Sequence, residues 1–369
     1  DGKVAQAMQL YIDVNYGNPS SSHGLGLKAK KAVTEAREKV ASLLNCSPEE
    51  IIFTSGGSES NNMVIKGVAF SYKHKGNHII TSQIEHPAVL KPCKYLERIG
   101  YEITYLPVDG YGMVNPVDVE KAITDKTILV TIMHANNETG TIQPIEEISQ
   151  ICRKHNVLLH TDAAQSVGKI PTKVNELGVD FLTVAGHKLY APKGVGALYI
   201  RNGVEIEPLI HGAGHENGRR AGTENVIFNV ALGKACEIAK DALNNIKKGA
   251  FMITPREIQD LTQYFYDRLT EKFGSKIKLN GHPTKRLPNT LNVSFIGYNG
   301  IDIVNKLDNV AVSTGSACHS GLTTISPVLK AMAVSDEVGR GAIRFSLGKY
   351  TTKEEVDTVI RQLEQIVEE

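Results

Sequence analysis

Short, largely apolar runs alternate along this chain with longer stretches in which apolar residues return every three or four positions. Ile51 to Thr54, His78 to Ser82, Glu102 to Leu106, Thr127 to Met133, Val157 to Asp162, Val179 to Ala185 and Gly196 to Ile200 are runs of the first kind and read as strands. The second kind reads as helix. Lys28 to Leu44 brings Ala32, Val33, Ala36, Val40, Leu43 and Leu44 to one face, and Asn61 to Tyr72, Ala88 to Ile99, Pro116 to Ala122 and Ile145 to His155 repeat the pattern. A strand that is apolar on both faces needs cover on both sides. The alternation therefore predicts an α/β fold whose mainly parallel sheet lies between helices.

From about Lys248 the pattern changes. A long helix, Arg256 to Phe273, is followed by short strands at Ile277 to Leu279, Asn289 to Phe295, Val310 to Ser313 and Ile343 to Leu347. Helices at Ile301 to Leu307, Pro327 to Met332 and Lys353 to Val367 separate them. This predicts a large domain over residues 15–248 and a smaller α+β C-terminal domain with an antiparallel sheet over residues 249–369. Residues 1–14 read as an amphipathic helix that packs with the smaller domain and is joined in mid-element to a segment upstream. No internal repeat or low-complexity stretch breaks the chain.

In a parallel sheet ligands gather at the carboxyl ends of the strands. Five polar clusters fall there: Gly56-Gly57-Ser58, Glu85-His86, His134 to Glu138, Asp162 to Gln165, and His187-Lys188. The first sits between a strand and a helix start, where free N–H groups and the positive end of the helix dipole face one point. It reads as a phosphate cradle or as an ordinary helix cap. Lys188 ends a buried apolar run. A lysine amine so placed can condense with an aldehyde, and the carboxylate of Asp162 can pair with a pyridine nitrogen, so the two together would hold an aromatic aldehyde cofactor. A solvated lysine and a structural cap are the plain alternatives. His86 can stack on a ring and move protons, or be a loop histidine. A second basic loop, His211 to Thr223, contains Arg219-Arg220.

Composition narrows the field. The chain has 41 basic and 40 acidic residues, so no net field draws it to nucleic acid or anionic lipid. No apolar window reaches the length of a membrane span. Five cysteines (Cys46, Cys93, Cys152, Cys236 and Cys318) form no CxxC pair, which predicts neither a disulfide framework nor a metal site, and a reducing, cytoplasmic compartment. Four of them stand in helical or apolar context. Cys318 stands apart in STGSACHSG, among small residues on a loop, where an ionised thiol can act as a nucleophile or be incidental.

Taken in order, TSGGSESNN (54–62), EHPAV (85–89), HANNETG (134–140), HTDAAQSVGK (160–169), AGHKLYAPKGVGALY (185–199), GHENGRRAGTEN (214–225), GSACHS (315–320) and IRFSLG (343–348) resemble the pyridoxal-phosphate-dependent cysteine desulfurases and selenocysteine lyases. These are class V aminotransferases of fold type I. The resemblance covers nearly the whole chain and implies a seven-stranded large domain with a smaller α+β domain. It implies that Lys188 holds pyridoxal 5'-phosphate, Asp162 pairs with its ring nitrogen, His86 stacks on the ring, and Gln165 and Asn137 contact its oxygen side. Gly57, Ser58 and His187 would bind the phosphate, joined by Thr223 from the second copy of a homodimer. Arg344, with Asn18, would hold the substrate carboxylate. Cys318 would accept sulfur from L-cysteine and pass it to an acceptor protein or small thiol, for iron–sulfur clusters or thio-cofactors. Selenocysteine lyase and aminotransferase activities belong to the same fold. Ala185 stands where many relatives have a serine that reaches the phosphate.

Overall fold

A computed structural model describes residues 1–245, 253–314 and 325–368. Two units divide the chain. The first contains residues 1–106, 116–134 and 144–244, and the second contains residues 107–115, 135–143 and 245–369. The sequence pattern gave the two excursions at 107–115 and 135–143 to the large domain. They join the second unit because their partners lie there: Thr141 Oγ1 donates to the Tyr111 carbonyl at 2.7 Å, and the Ile142 N–H to the Lys285 carbonyl at 3.0 Å.

The first unit carries a seven-stranded sheet. Its strands are β1 (Ile51–Thr54), β2 (His78–Ser82), β3 (Glu102–Leu106), β4 (Thr127–Thr131), β5 (Leu158–Asp162), β6 (Phe181–Ala185) and β7 (Gly196–Ile200), in the order β1-β7-β6-β5-β4-β2-β3. Only β7 runs against its neighbours, pairing antiparallel with β1 and β6. Every residue of β1, β2, β4, β6 and β7 is buried, as expected of strands covered on both faces. The helices of this unit are α1 (Gly2–Asp13), α2 (Gly24–Leu44), α3 (Gly57–Ser71), α4 (Pro87–Glu97), α5 (Pro116–Ala122), α6 (Ile145–Lys154), α7 (Val174–Leu177) and α8 (Val226–Leu243).

One core joins α3 and α4 to the sheet through Met63, Ile65, Val68, Val89 and Leu96 against Ile79, Leu129, Phe181 and Leu198. α2 and α8 pack together closely, because a Cβ at Gly233 would stand 2.7 Å from the Ala36 Cα. The helix expected at residues 1–14 forms and packs along α8 in the first unit. It has an apolar stripe, and α8 offers the matching surface.

The second unit holds α9 (Pro255–Phe273), β8 (Ile277–Asn280), β9 (Thr290–Phe295), α10 (Gly300–Lys306), α11 (Pro327–Ala331), α12 (Asp336–Gly339), β10 (Ala342–Ser346) and α13 (Lys353–Glu368). Its antiparallel sheet has the order β10-β9-β8. Thr254 and Glu257 close a reciprocal cap at the start of α9. Phe265, Leu269 and Phe273 of α9 meet Val293, Phe295 and Phe345 of the sheet, and Ile360 and Leu363 of α13 complete that core. The strand predicted at Val310 to Ser313 does not form. Only Ser313 pairs, with Arg344, so the segment supplies a single bridge.

Candidate active site

The carboxyl ends of β1, β2, β4, β5 and β6 lie along one edge of the large sheet, and Gly57, Ser58, His86, Asp162, Gln165, His187 and Lys188 end or follow those strands in the chain. Asp162 ends β5 opposite Thr183 of β6, with His187 and Lys188 in the turn just past β6. Asp162 is buried. Its Oδ2 accepts from Asn61 Nδ2 at 2.7 Å and its Oδ1 from the Ala164 N–H at 2.9 Å. Burial pushes its carboxyl up, and the Ala164 N–H, the Asn61 amide and His86 pull it back. No lysine or arginine pairs with it among the described residues. A buried carboxylate held by two neutral donors lacks a cation, and a protonated pyridine nitrogen is a fitting one.

The cradle at the start of α3 has the shape a phosphate requires. Gly56 adopts φ +143, which side chains other than hydrogen rarely allow, with open space where a Cβ would stand. A Cβ at Gly196 would stand 2.7 Å from the Gly56 Cα, so β7 reaches the cradle only as glycine. Behind it, Thr54 and Ser60 share a hydroxyl contact of 2.9 Å, and Glu59 takes the Ser55 N–H at 2.8 Å while pairing with Arg220. The Ala185 Cβ lies 3.4 Å from where a Cβ would project at Gly57, so position 185 borders the cradle. Positive charge gathers nearby. His187 is driven toward its neutral form first by burial and then by Lys188, Lys193 and Lys169.

The remaining first-unit candidates are spread more widely. His86 is exposed, caps α4 through Nδ1 on the Ala88 N–H at 3.1 Å, and lies in the field of Asp162. Gln165 is half-buried in the turn after Asp162. Thr223 is exposed and lines a cavity of about 260 Å³ with Thr54, Ser55 and Phe228. Asn18 is exposed, its side chain taking the Ser20 N–H at 3.0 Å. Glu216 anchors the basic loop: it is buried, pairs with both terminal nitrogens of Arg37 at 2.6 and 2.9 Å, and accepts the Phe53 N–H at 3.1 Å.

Two further residues at this edge were given no role by the sequence pattern. Glu85 is buried, its Oε1 accepting from Ser82 Oγ at 2.7 Å and from the Met133 N–H at 2.9 Å, while Oε2 has no partner. Burial, with a smaller push from Asp162, raises its carboxyl to about 8. Lys169 closes the turn after Asp162 by donating to the Gln165 carbonyl at 2.6 Å. His160, between Thr131 and Thr183, is pushed down to about 3 by burial and is a neutral stitch across β4, β5 and β6.

In the second unit, Arg344 on β10 donates to the Asn137 carbonyl at 2.8 Å, and its buried Nε has no partner. A carboxylate would complete that fork. The backbone of Arg344 also binds Ser313, with its N–H 2.7 Å from the Ser313 carbonyl. Ser326 Oγ donates to Glu138, whose carboxyl is raised by burial and eased by Ser326 and Arg344. Cys318 lies outside the described residues, between these two anchored points of the chain.

A sheet edge with a glycine cradle, a cation-less buried aspartate and a lysine one strand away defines a pyridoxal-phosphate enzyme of fold type I, and its residues fit that cofactor. The comparisons then place the chain. Residues 1–359 match the family Aminotransferase class-V, and the chain belongs to it. It is 50% identical over 370 residues to a cysteine desulfurase IscS from Dictyoglomus turgidum, covering 99% of this chain and 91% of that one. Among solved structures, a NifS-like protein matches with a TM-score of 0.91 and 40% identity over 100% of this chain and 96% of its own. A structure of SspA in complex with cysteine matches with a TM-score of 0.82 and 37% identity, over 95% and 96% of the two chains.

Proposed function

We propose that the protein is a cysteine desulfurase that moves the sulfur of L-cysteine onto Cys318 and releases L-alanine. The observation that carries this reading is buried Asp162, held by neutral donors at the carboxyl end of β5 with Lys188 in the turn after the adjacent strand. The likeness to cysteine desulfurases and to a cysteine-bound structure supports the choice of substrate.

When bound, pyridoxal phosphate supplies an aldehyde that joins an amine and a ring that draws electrons from the neighbouring carbon. Asp162 keeps a proton on the ring nitrogen, and Asn61 and the Ala164 N–H hold its two oxygens in place for that task. Gly57, Ser58 and His187 would hold the phosphate, His86 would stack on the ring, and Gln165 and Asn137 would serve its oxygen side. Arg344, with Asn18, takes the substrate carboxylate. Lys188, once its amine is released, removes the proton from the substrate α-carbon. The Cys318 thiolate then attacks the substrate sulfur. A sulfur–sulfur bond forms and the carbon–sulfur bond breaks with its electron pair left on the β-carbon; that carbon takes up the proton given up by the Cys318 thiol, and Lys188 returns the α-proton. Cysteine plus thiol gives alanine plus persulfide, so atoms and electrons balance.

The active form is a homodimer in which Thr223 of each copy serves the phosphate of the other. Leu10, Ile12, Val14, Tyr16, Leu25 and Leu27 are exposed within one short stretch, an apolar surface that a second copy would cover. The persulfide passes to an acceptor protein or small thiol. Cys46, Cys93, Cys152 and Cys236 are free thiols, which supports a reducing, cytoplasmic setting. Among the described residues no helix is long and apolar enough to cross a membrane.

The test is turnover of L-cysteine with a reductant. Equimolar sulfide and alanine are expected from the wild type. Cys318→Ala should keep the cofactor's visible absorbance and lose both products. Absence of alanine from the wild type, or turnover of selenocysteine with cysteine refused, would overturn the reading.

A further inference from the structure

The turn from Asp162 to Ile170 is tightly tied. Ala164 and Ser166 bond back to Asp162 and Ala163, and the Lys169 and Ile170 N–H groups bond to the Ser166 carbonyl. Gly168 adopts φ +77, and a Cβ there would stand 2.5 Å from Leu189 Cδ2. The turn therefore packs directly against the residue that follows Lys188. Lys169 sits at that contact. Its Nζ donates to the Gln165 carbonyl at 2.6 Å, and no carboxylate pairs with it among the described residues. Its charged neighbours are Lys188 and His187 in the turn after β6, with Lys193 acting on His187 from the loop beyond. From α8, Ala239 packs against Gly168 of the turn.

A buried ammonium with one carbonyl acceptor and a second lysine beside it is poorly stabilised. Burial, reinforced by Lys188, pushes Lys169 down to about 7, although part of its side chain remains open to solvent. Coulomb interaction is mutual, so Lys169 acts on Lys188 with the same sign as Lys188 acts on it.

We propose that Lys169 is a positioning residue for the candidate active site: it fixes the main chain at Gln165 and places a second positive charge beside Lys188 that favours the uncharged amine there. This rests on the assignment of Lys188 as the cofactor-bearing lysine. An amine poised in this way gives up its proton more readily and is available both to join the cofactor and to act as a base.

The experiment is a pH titration of the visible absorbance of the holoenzyme, which follows protonation of the Lys188–cofactor linkage. Lys169→Met removes the charge and keeps the aliphatic stem, and Lys169→Arg keeps the charge. Below pH 7, where Lys169 carries its proton, Lys169→Met should raise the apparent midpoint by about one pH unit, while Lys169→Arg, which keeps its charge at every pH, should not raise it. Lys169→Gln, which can still donate to the Gln165 carbonyl, is made in parallel and should follow Lys169→Met, so the test survives if the methionine variant does not fold. An unchanged midpoint in the neutral variants, or equal shifts in all three, overturns the proposal. A wild-type chain that gains no visible band on addition of pyridoxal phosphate would instead overturn the cofactor assignment.

Discussion

Replacing Glu85 by Gln removes one titrating proton and almost nothing else. The amide keeps an oxygen to accept from Ser82 Oγ and the Met133 N–H, and its NH₂ takes the place of the partnerless Oε2. In the folded protein burial raises this carboxyl from 4.5 to about 8. Below pH 4.5 both folded and unfolded chains hold the proton, and the protein keeps the full benefit of a neutral Glu85. As pH rises toward 8 the unfolded chain ionises first, and stability falls. By pH 7 the loss is about 3 kcal/mol, and between pH 5.5 and 8.5 it grows from about 1.5 to about 4.5 kcal/mol, a change of about 3 kcal/mol over that interval. Glu85→Gln has no such loss. Any fixed cost of its two new donors is the same at every pH and cancels when the two profiles are compared. The assay is thermal unfolding of both proteins with saturating cofactor from pH 5.5 to 8.5. The melting temperature of the variant should gain about 4 °C on the wild type across that range. Parallel profiles would refute the assignment of Glu85 as a buried, neutral acid.

Two further outcomes follow from the geometry. Ala185→Ser places a hydroxyl at the border of the Gly57 cradle, and one added hydrogen bond of about 1 kcal/mol should tighten pyridoxal phosphate binding roughly fivefold, read by equilibrium titration of the apoprotein. Weaker binding would show that position 185 does not face the phosphate. Glu216→Ala leaves the Arg37 guanidinium without its bidentate partner and the Phe53 N–H without its acceptor, which should cost about 3 kcal/mol and expose the 211–223 loop to proteolysis. An unchanged cleavage rate would count against that anchor.

The sheet was legible because its strands are apolar throughout. Phe181–Ala185 and Leu158–Asp162 announce both burial and the point where the chain must turn polar, which is where Asp162 and Lys188 stand. The burial of Glu85 was not legible. It sits between exposed Gln83 and exposed His86, and only the fold shows that its carboxyl turns inward to tie β2 to β4. Lys169 was hidden for a similar reason: a lysine after glycine reads as surface, and only the fold turns its amine onto the Gln165 carbonyl, in a turn whose Gly168 packs on Leu189. The membership of 107–115 and 135–143 in the second unit depends on bonds such as Ile142 to Lys285, which no local pattern carries. Val310 to Ser313 failed in the opposite direction, having the composition of a strand and only one pairing partner.

In the proposed function Lys188 and Asp162 account for a cofactor enzyme, and Cys318 is the residue proposed to select sulfur chemistry. The most direct measurement is therefore the mass of the Cys318 peptide after the holoenzyme meets L-cysteine without a reductant. Cys318 should gain one sulfur atom, released by dithiothreitol and absent from Lys188→Ala. Alanine formed with Cys318 unmodified and catalytically dispensable would contradict it.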